Sequence, residues 1–237
     1  MPSMKIYAFI IISILASTLA FGQTGLEPDT VKGKFIPTGV RIGFDLISSG
    51  EAVIDKGIQV FTQGEYNELQ FSADIDFHRY FLNVEYGIYD RQWTRGDGYY
   101  INKGSHFKIG PDINFLHKDP DGSALFFGLR YSFSNFSDEI VYNYGNQFWG
   151  DGANRIENDN LKANWLELTT GLKVRLTKII WLGYTARFKF GFSTDTFADK
   201  ALIPHWVPGF GRASETSAWG LDYWLIVKVP FKKSGRQ

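Results

Sequence analysis

The chain has 237 residues, with 25 Lys and Arg against 25 Asp and Glu, and no cysteine. That neutral balance lacks the basic excess of a nucleic-acid binder, and the missing thiols exclude a disulfide framework, a thiolate metal site, a Cys nucleophile and a lipidated cysteine. At 44% hydrophobic and 21% charged the sequence is too apolar for disorder, and its 17% aromatic content and 25 glycines sit beside a mean hydropathy of only −0.18.

At the N-terminus, Lys5 precedes an uncharged apolar run from Ile6 to Phe21, followed by Gly22 and Gln23. A short positive region, an apolar segment and small residues at the cleavage positions read as a signal peptide over 1–22. The run falls short of the roughly 20 residues a helix needs to cross a bilayer. Residues 23–34, polar and containing Pro28, read as a periplasmic linker.

From Phe35 to Phe231 the apolar period is two, in segments the length of barrel strands. The segments are 35–46, 66–77, 81–89, 106–116, 124–134, 163–176, 180–190 and 217–231. In the first, Val40, Ile42, Phe44 and Leu46 oppose Arg41 and Asp45. In the fifth, Leu125, Phe127, Leu129, Tyr131 and Phe133 face away from Arg130 and Ser132. The last sets Leu221, Tyr223, Leu225, Val227 and Val229 against Asp222, Trp224 and Lys228. Connections 78–80, 117–123 and 177–179 are short, whereas 47–65, 90–105, 135–162 and 191–216 are long. An even strand count with short and long connections in strict alternation is the pattern of an eight-stranded antiparallel up-and-down transmembrane β-barrel. Residues 232–237 form a polar tail.

One face of each strand holds the charges: Arg41, Asp45, Asp74, Glu85, Lys108, Asp112, Arg130, Glu167, Lys173, Arg175, Arg187, Asp222 and Lys228, with Glu68, Asp76 and Lys189 in the same phase. Such a face suits either water outside, as in a soluble secreted lipocalin-like barrel, or a polar lumen with lipid outside. Lipid outside is favoured by the aromatics near the ends of the apolar face and by glycines on the polar face, which leave room in a narrow interior. An interior of this size is filled by side chains. The charges there should pair across strands, with Arg187–Asp222 and Arg41–Asp222 as candidate pairs. The result is a structural plug, the alternative being a narrow selective pore.

Two motifs, Pro37-Thr38-Gly39-Val40-Arg41-Ile42-Gly43 and Pro208-Gly209-Phe210-Gly211, carry a resemblance to the small outer-membrane β-barrel proteins of Bacteroidota, in particular a family of unknown function. The resemblance implies a signal peptide and an eight-stranded barrel, and it transfers no catalytic residues.

No motif supports chemistry. His205 lies in the fourth long connection with Asp195, Asp199 and Ser214, but no nucleophile motif surrounds it, so an enzyme at the extracellular rim is the weaker reading. His78 and His117 fall in short turns, and His106 starts the fourth strand. Asp151, Asn154, Glu157 and Asp159 offer oxygen ligands without the spacing of a calcium loop. No catalysis, cofactor or metal is expected. The apolar stretch from Leu202 and Ile203 through His205 and Trp206 to Phe210, with Phe148 and Trp149 of the third connection, is the candidate contact surface; the alternative is that it folds over the barrel mouth as a lid. Expected partners are outer-membrane lipid, periplasmic chaperones and the barrel-insertion machinery during biogenesis, and a protein or glycan at the extracellular loops. Nucleic acid is not among them.

Overall fold

The computed structural model describes residues 37, 39–48, 68–77, 79–146, 150–192, 197, 200 and 202–231. The signal peptide, the linker, Phe148, Trp149, Asp195, Asp199, His78 and the polar tail lie outside the described residues. The elements are β1 (Gly39–Asp45), β2 (Glu68–Phe77), β3 (Tyr80–Arg95), β4 (Gly98–Asn114), β5 (Ala124–Asn146), β6 (Gly150–Arg175), β7 (Ile180–Phe190), the short β8 (Trp206–Val207) and β9 (Gly211–Arg212), and β10 (Ser217–Pro230). The eight long strands close into one antiparallel barrel in the order β1-β10-β7-β6-β5-β4-β3-β2, and β8 and β9 pair as a separate two-stranded sheet.

The period-two pattern is the cause of this closure. Each strand turns one set of side chains inward and the other outward, and the barrel is inside out relative to a soluble one. Leu129 is 45% exposed while its neighbour Arg130 is 1% exposed; Leu168 is 38% exposed while Glu167 is fully buried. Leu172, Leu182, Leu225, Val227 and Ile42 continue the exposed apolar surface. From Leu125 to Phe133 the outward set runs about 26 Å along β5, at ~3.3 Å per residue, or about 20 Å of height at a ~40° tilt, close to the ~25 Å apolar band of membrane barrels. Aromatic pairs mark the upper edge: Phe107 and Phe133 lie 5.3 Å apart, and Phe188 and Trp219 4.9 Å apart. Phe115 and Phe231, both exposed, mark the lower edge.

Inward glycines admit the bulky lumen side chains. A Cβ on Gly128 would collide with the Asp112 carboxylate, and one on Gly220 would press the Arg187 stem at 2.9 Å.

Two connections differ from the expectation. The described residues of 90–105 and 135–162 are almost all strand and not loop: β3 and β4 pair up to Arg95↔Gly98, and β5 and β6 up to Asn146↔Gly150. These hairpins rise beyond the apolar band, where the outward face is no longer uniformly apolar and the alternation that reveals a strand lapses. Asp90, out of phase for an apolar face, sits on this upper part and pairs with Lys103 at 3.0 Å.

Candidate functional site

The lumen is built in three layers. Its floor, at the short-turn end, is apolar: Phe81, Ala124 and Phe126 pack together, beside Trp181, Trp224 and Ile226. Arg41 places its guanidinium 4.0 Å from the Phe81 ring centroid, and the Lys173 ammonium lies 5.0 and 4.9 Å from the Phe81 and Phe126 centroids. These ring faces attract the cations, and both cations also share Asp74, each at 2.6 Å. Lys228 pairs with Asp76 at 2.8 Å nearby.

Above the floor is a connected ionic network. Arg187 Nε donates to Asp222 at 2.6 Å, while its terminal nitrogens reach Glu167 at 2.6 Å and Glu85 at 3.0 Å. Arg130 pairs with Asp112 at 2.7 Å and approaches Glu85 at 3.8 Å. The Trp165 indole donates to Glu167 at 2.7 Å. Every one of these charged side chains is buried, so each carboxylate has a guanidinium partner that offsets its desolvation.

The top layer is a lid. Phe192, Phe197, Val207, Phe210 and Ala213 of the fourth connection are buried against Phe136, Leu161, Ala163 and Trp165, the inward residues of upper β5 and β6. Phe210 meets Trp165 at 5.5 Å and Phe192 at 4.8 Å between centroids. Polar side chains above the apolar band then hold residues 202–206. A bulge in β6 makes this possible: the register shifts between Phe136 and Asp138, and Asn160 takes φ 57°. The extra residue changes the phase of β6, so that Asn158 turns inward and donates both to Asp138 at 3.0 Å and to the Leu202 carbonyl at 2.6 Å. The Tyr100 hydroxyl donates to Asp138 at 2.9 Å and accepts from the His205 amide at 3.2 Å; Asn102 donates to the Trp206 carbonyl at 2.9 Å. Burial raises the Asp138 carboxyl above the usual carboxylate range, against the opposing effect of the bonds from Asn158 and Tyr100.

The predicted charges meet this geometry well, with three corrections. Arg41 does not pair with Asp222. Its position on β1 is opposite Lys228, near the floor, whereas Asp222 is opposite Thr185, higher on β10. Arg175 is exposed at the lower rim, where it donates to the Thr177 and Asp121 carbonyls. His106 is inside the barrel and not at its edge, enclosed by Gly87 and Gly209.

The candidate contact surface divides. Phe210 is 1% exposed and belongs to the lid core, which removes it from that surface, whereas Ile203 is 69% exposed. His205 is exposed and sets its ring edge-on to Trp93 and Tyr100 at 6.3 and 6.1 Å; Trp206 packs near Trp93. Of the oxygen ligands of the third connection, Asn154, Glu157 and Asp159 are spread along β6, where Glu157 pairs with Arg155. Among the described residues no group of three or more His, Asp or Glu side chains could hold a metal ion. Sequence reasoning missed Phe136, Leu161, Tyr100, Asn102, Asp138 and Asn158. The one available signal was the Gly96-Asp97 dipeptide, which closes the β3–β4 hairpin as a two-residue turn.

An apolar exterior, an ionic lumen and capped ends define a closed eight-stranded up-and-down barrel with its inside filled. The chain belongs to the family described as Domain of unknown function (DUF6048), whose model matches residues 3–234. A comparison with curated proteins finds no match. Among solved structures, Ail, the attachment invasion locus protein of Yersinia pestis, aligns at 8% identity with a TM-score of 0.35, over 80% of this chain and 93% of that one.

Proposed function

We propose that the protein is a small outer-membrane β-barrel that neither conducts nor catalyses, and that acts through its upright extracellular sheet and lid as a binding or structural element. The observation that carries this reading is the reversal of burial across the wall, apolar outside and ionic inside, which would be costly in water and is natural in lipid. A signal peptide over 1–22, a Bacteroidota origin and delivery by periplasmic chaperones to the barrel-insertion machinery belong to the same proposal. The aromatic floor and the lid support a plug over a pore. Above the lid, Ile203, His205, Tyr142 and Tyr144 are exposed and offer a surface to a protein or glycan.

Envelope fractionation, an unheated-versus-heated gel and planar-bilayer recording test the proposal together. The protein is expected in the outer-membrane fraction, with a heat-dependent mobility shift and no discrete conductance steps. A soluble periplasmic product contradicts the location, and reproducible channels contradict the plug.

A further inference from the structure

Between the ionic network and the lid lies a cavity of about 420 Å³, its walls including Glu68, Gln70, Lys108, Lys189, Trp206 and Asp222. The volume is within the range of small-molecule sites. Most charges around it are spent. Asp222 is held by Arg187, and Lys189 donates to the Gly209 and Phe210 carbonyls at 2.8 and 3.0 Å.

Arg212 and Glu215, exposed in the outer wall, face each other at 3.8 Å, which leaves two inner charges unspent. The Lys108 side chain is 2% exposed, yet the carboxylates nearest its ammonium, Glu167 and Glu85, stand at 3.5 and 3.9 Å, at or beyond the limit of a hydrogen bond. An ammonium on so enclosed a side chain, with no hydrogen bond of its own, favours an acceptor that reaches it through the cavity. Glu68, on β2, accepts no hydrogen bond and has no cation at ion-pair distance among the described residues. A carboxylate and an ammonium thus face one cavity from different strands without touching.

We propose that this vestibule binds a small zwitterion, whose anionic group takes the free hydrogens of Lys108 and whose cationic group takes Glu68. A simple anion would leave Glu68 unanswered and meet its repulsion; a simple cation would meet Lys108, Lys189 and Arg187. Trp206 in the wall supplies the apolar contact such a ligand's body needs. The site follows from the lumen and does not depend on the membrane assignment.

The test is calorimetric titration of the refolded full chain, after a gel shift has shown that the barrel is closed. The probes are glycine, glycylglycine and glycylglycylglycine, which carry the same two charges at increasing separation, with acetate and methylammonium as single-charge controls. At least one zwitterion is expected to saturate, with both controls roughly tenfold or more weaker, the loss of one charge-assisted contact. Glu68→Gln, which breaks no ion pair, should weaken the zwitterion by about the same factor, as should Lys108→Met. If Lys108→Met does not refold, Glu68→Gln decides alone. No saturation with any of the three, acetate binding as tightly as the zwitterions, or an unchanged affinity in Glu68→Gln would each overturn the assignment.

Discussion

Arg187→Leu is expected to be the most damaging single substitution in the lumen, costing about 3–5 kcal/mol, the usual consequence of stripping a buried ion pair of one partner. Arg187 is 1% exposed and touches Asp222, Glu167 and Glu85 from one guanidinium. Its loss leaves three buried carboxylates, of which Asp222 then has no cation at ion-pair distance among the described residues. Urea titration of the refolded protein in detergent, read by gel mobility, measures the cost. Arg187→Leu combined with Asp222→Leu should recover part of it, because the second change removes the stranded charge; the two positions touch and are not additive. A loss below about 1 kcal/mol, the size of a solvated surface pair, would show the lumen to be wet and the network unimportant.

The second large effect lies on the opposite face. Leu168→Arg puts a charge in the middle of the apolar band and is expected to cost about 2–4 kcal/mol in a bilayer. The same substitution at Gln92, exposed on β3 above the band, should cost about 0–1 kcal/mol. Refolding into lipid vesicles, with the two variants compared at equal urea, separates them. In a barrel surrounded by water both would be exposed surface changes, within about 0.5 kcal/mol of each other. The contrast between the two sites therefore carries more information than either value.

The strands inside the apolar band were readable because an apolar exterior and an ionic lumen impose opposite demands on alternate residues. Leu125 to Phe133 obeys that rule at every outward position, and Arg130 answers it on the inward side. Above the band the rule lapses. Residues 135–162 mix Phe136, Asp138, Ile140, Tyr142 and Asn158 with no simple period, since the inner face there is apolar where it meets the lid and polar where it meets the lid's backbone. The bulge at Asn160 then changes the phase of β6, which defeats a period-two search even where pairing is continuous. Pairing between charges was legible only where depth could be counted along adjacent strands. Arg187 and Asp222 are on neighbouring strands at similar height; Arg41 and Asp222 are also on neighbouring strands but at different heights, and only the register shows it. The lid was foreseen as one fate of an apolar connection, but its anchor, Phe210 on Trp165, joins residues 45 positions apart and leaves no local trace.

The orientation of the wall is the central claim, and the absence of native cysteine makes it directly measurable. Single cysteines at Leu129, Leu168 and Leu225, and at Asn143 above the band, can each carry one nitroxide spin label in the refolded, lipid-embedded protein. Collision rates with oxygen, which partitions into lipid, and with a charged nickel complex, which stays in water, then report the surroundings of each site. The labels at 129, 168 and 225 should collide with oxygen and be shielded from nickel, whereas the label at 143 should do the reverse. Nickel collisions at 129 and 168 as frequent as at 143 would contradict a barrel whose apolar face meets lipid.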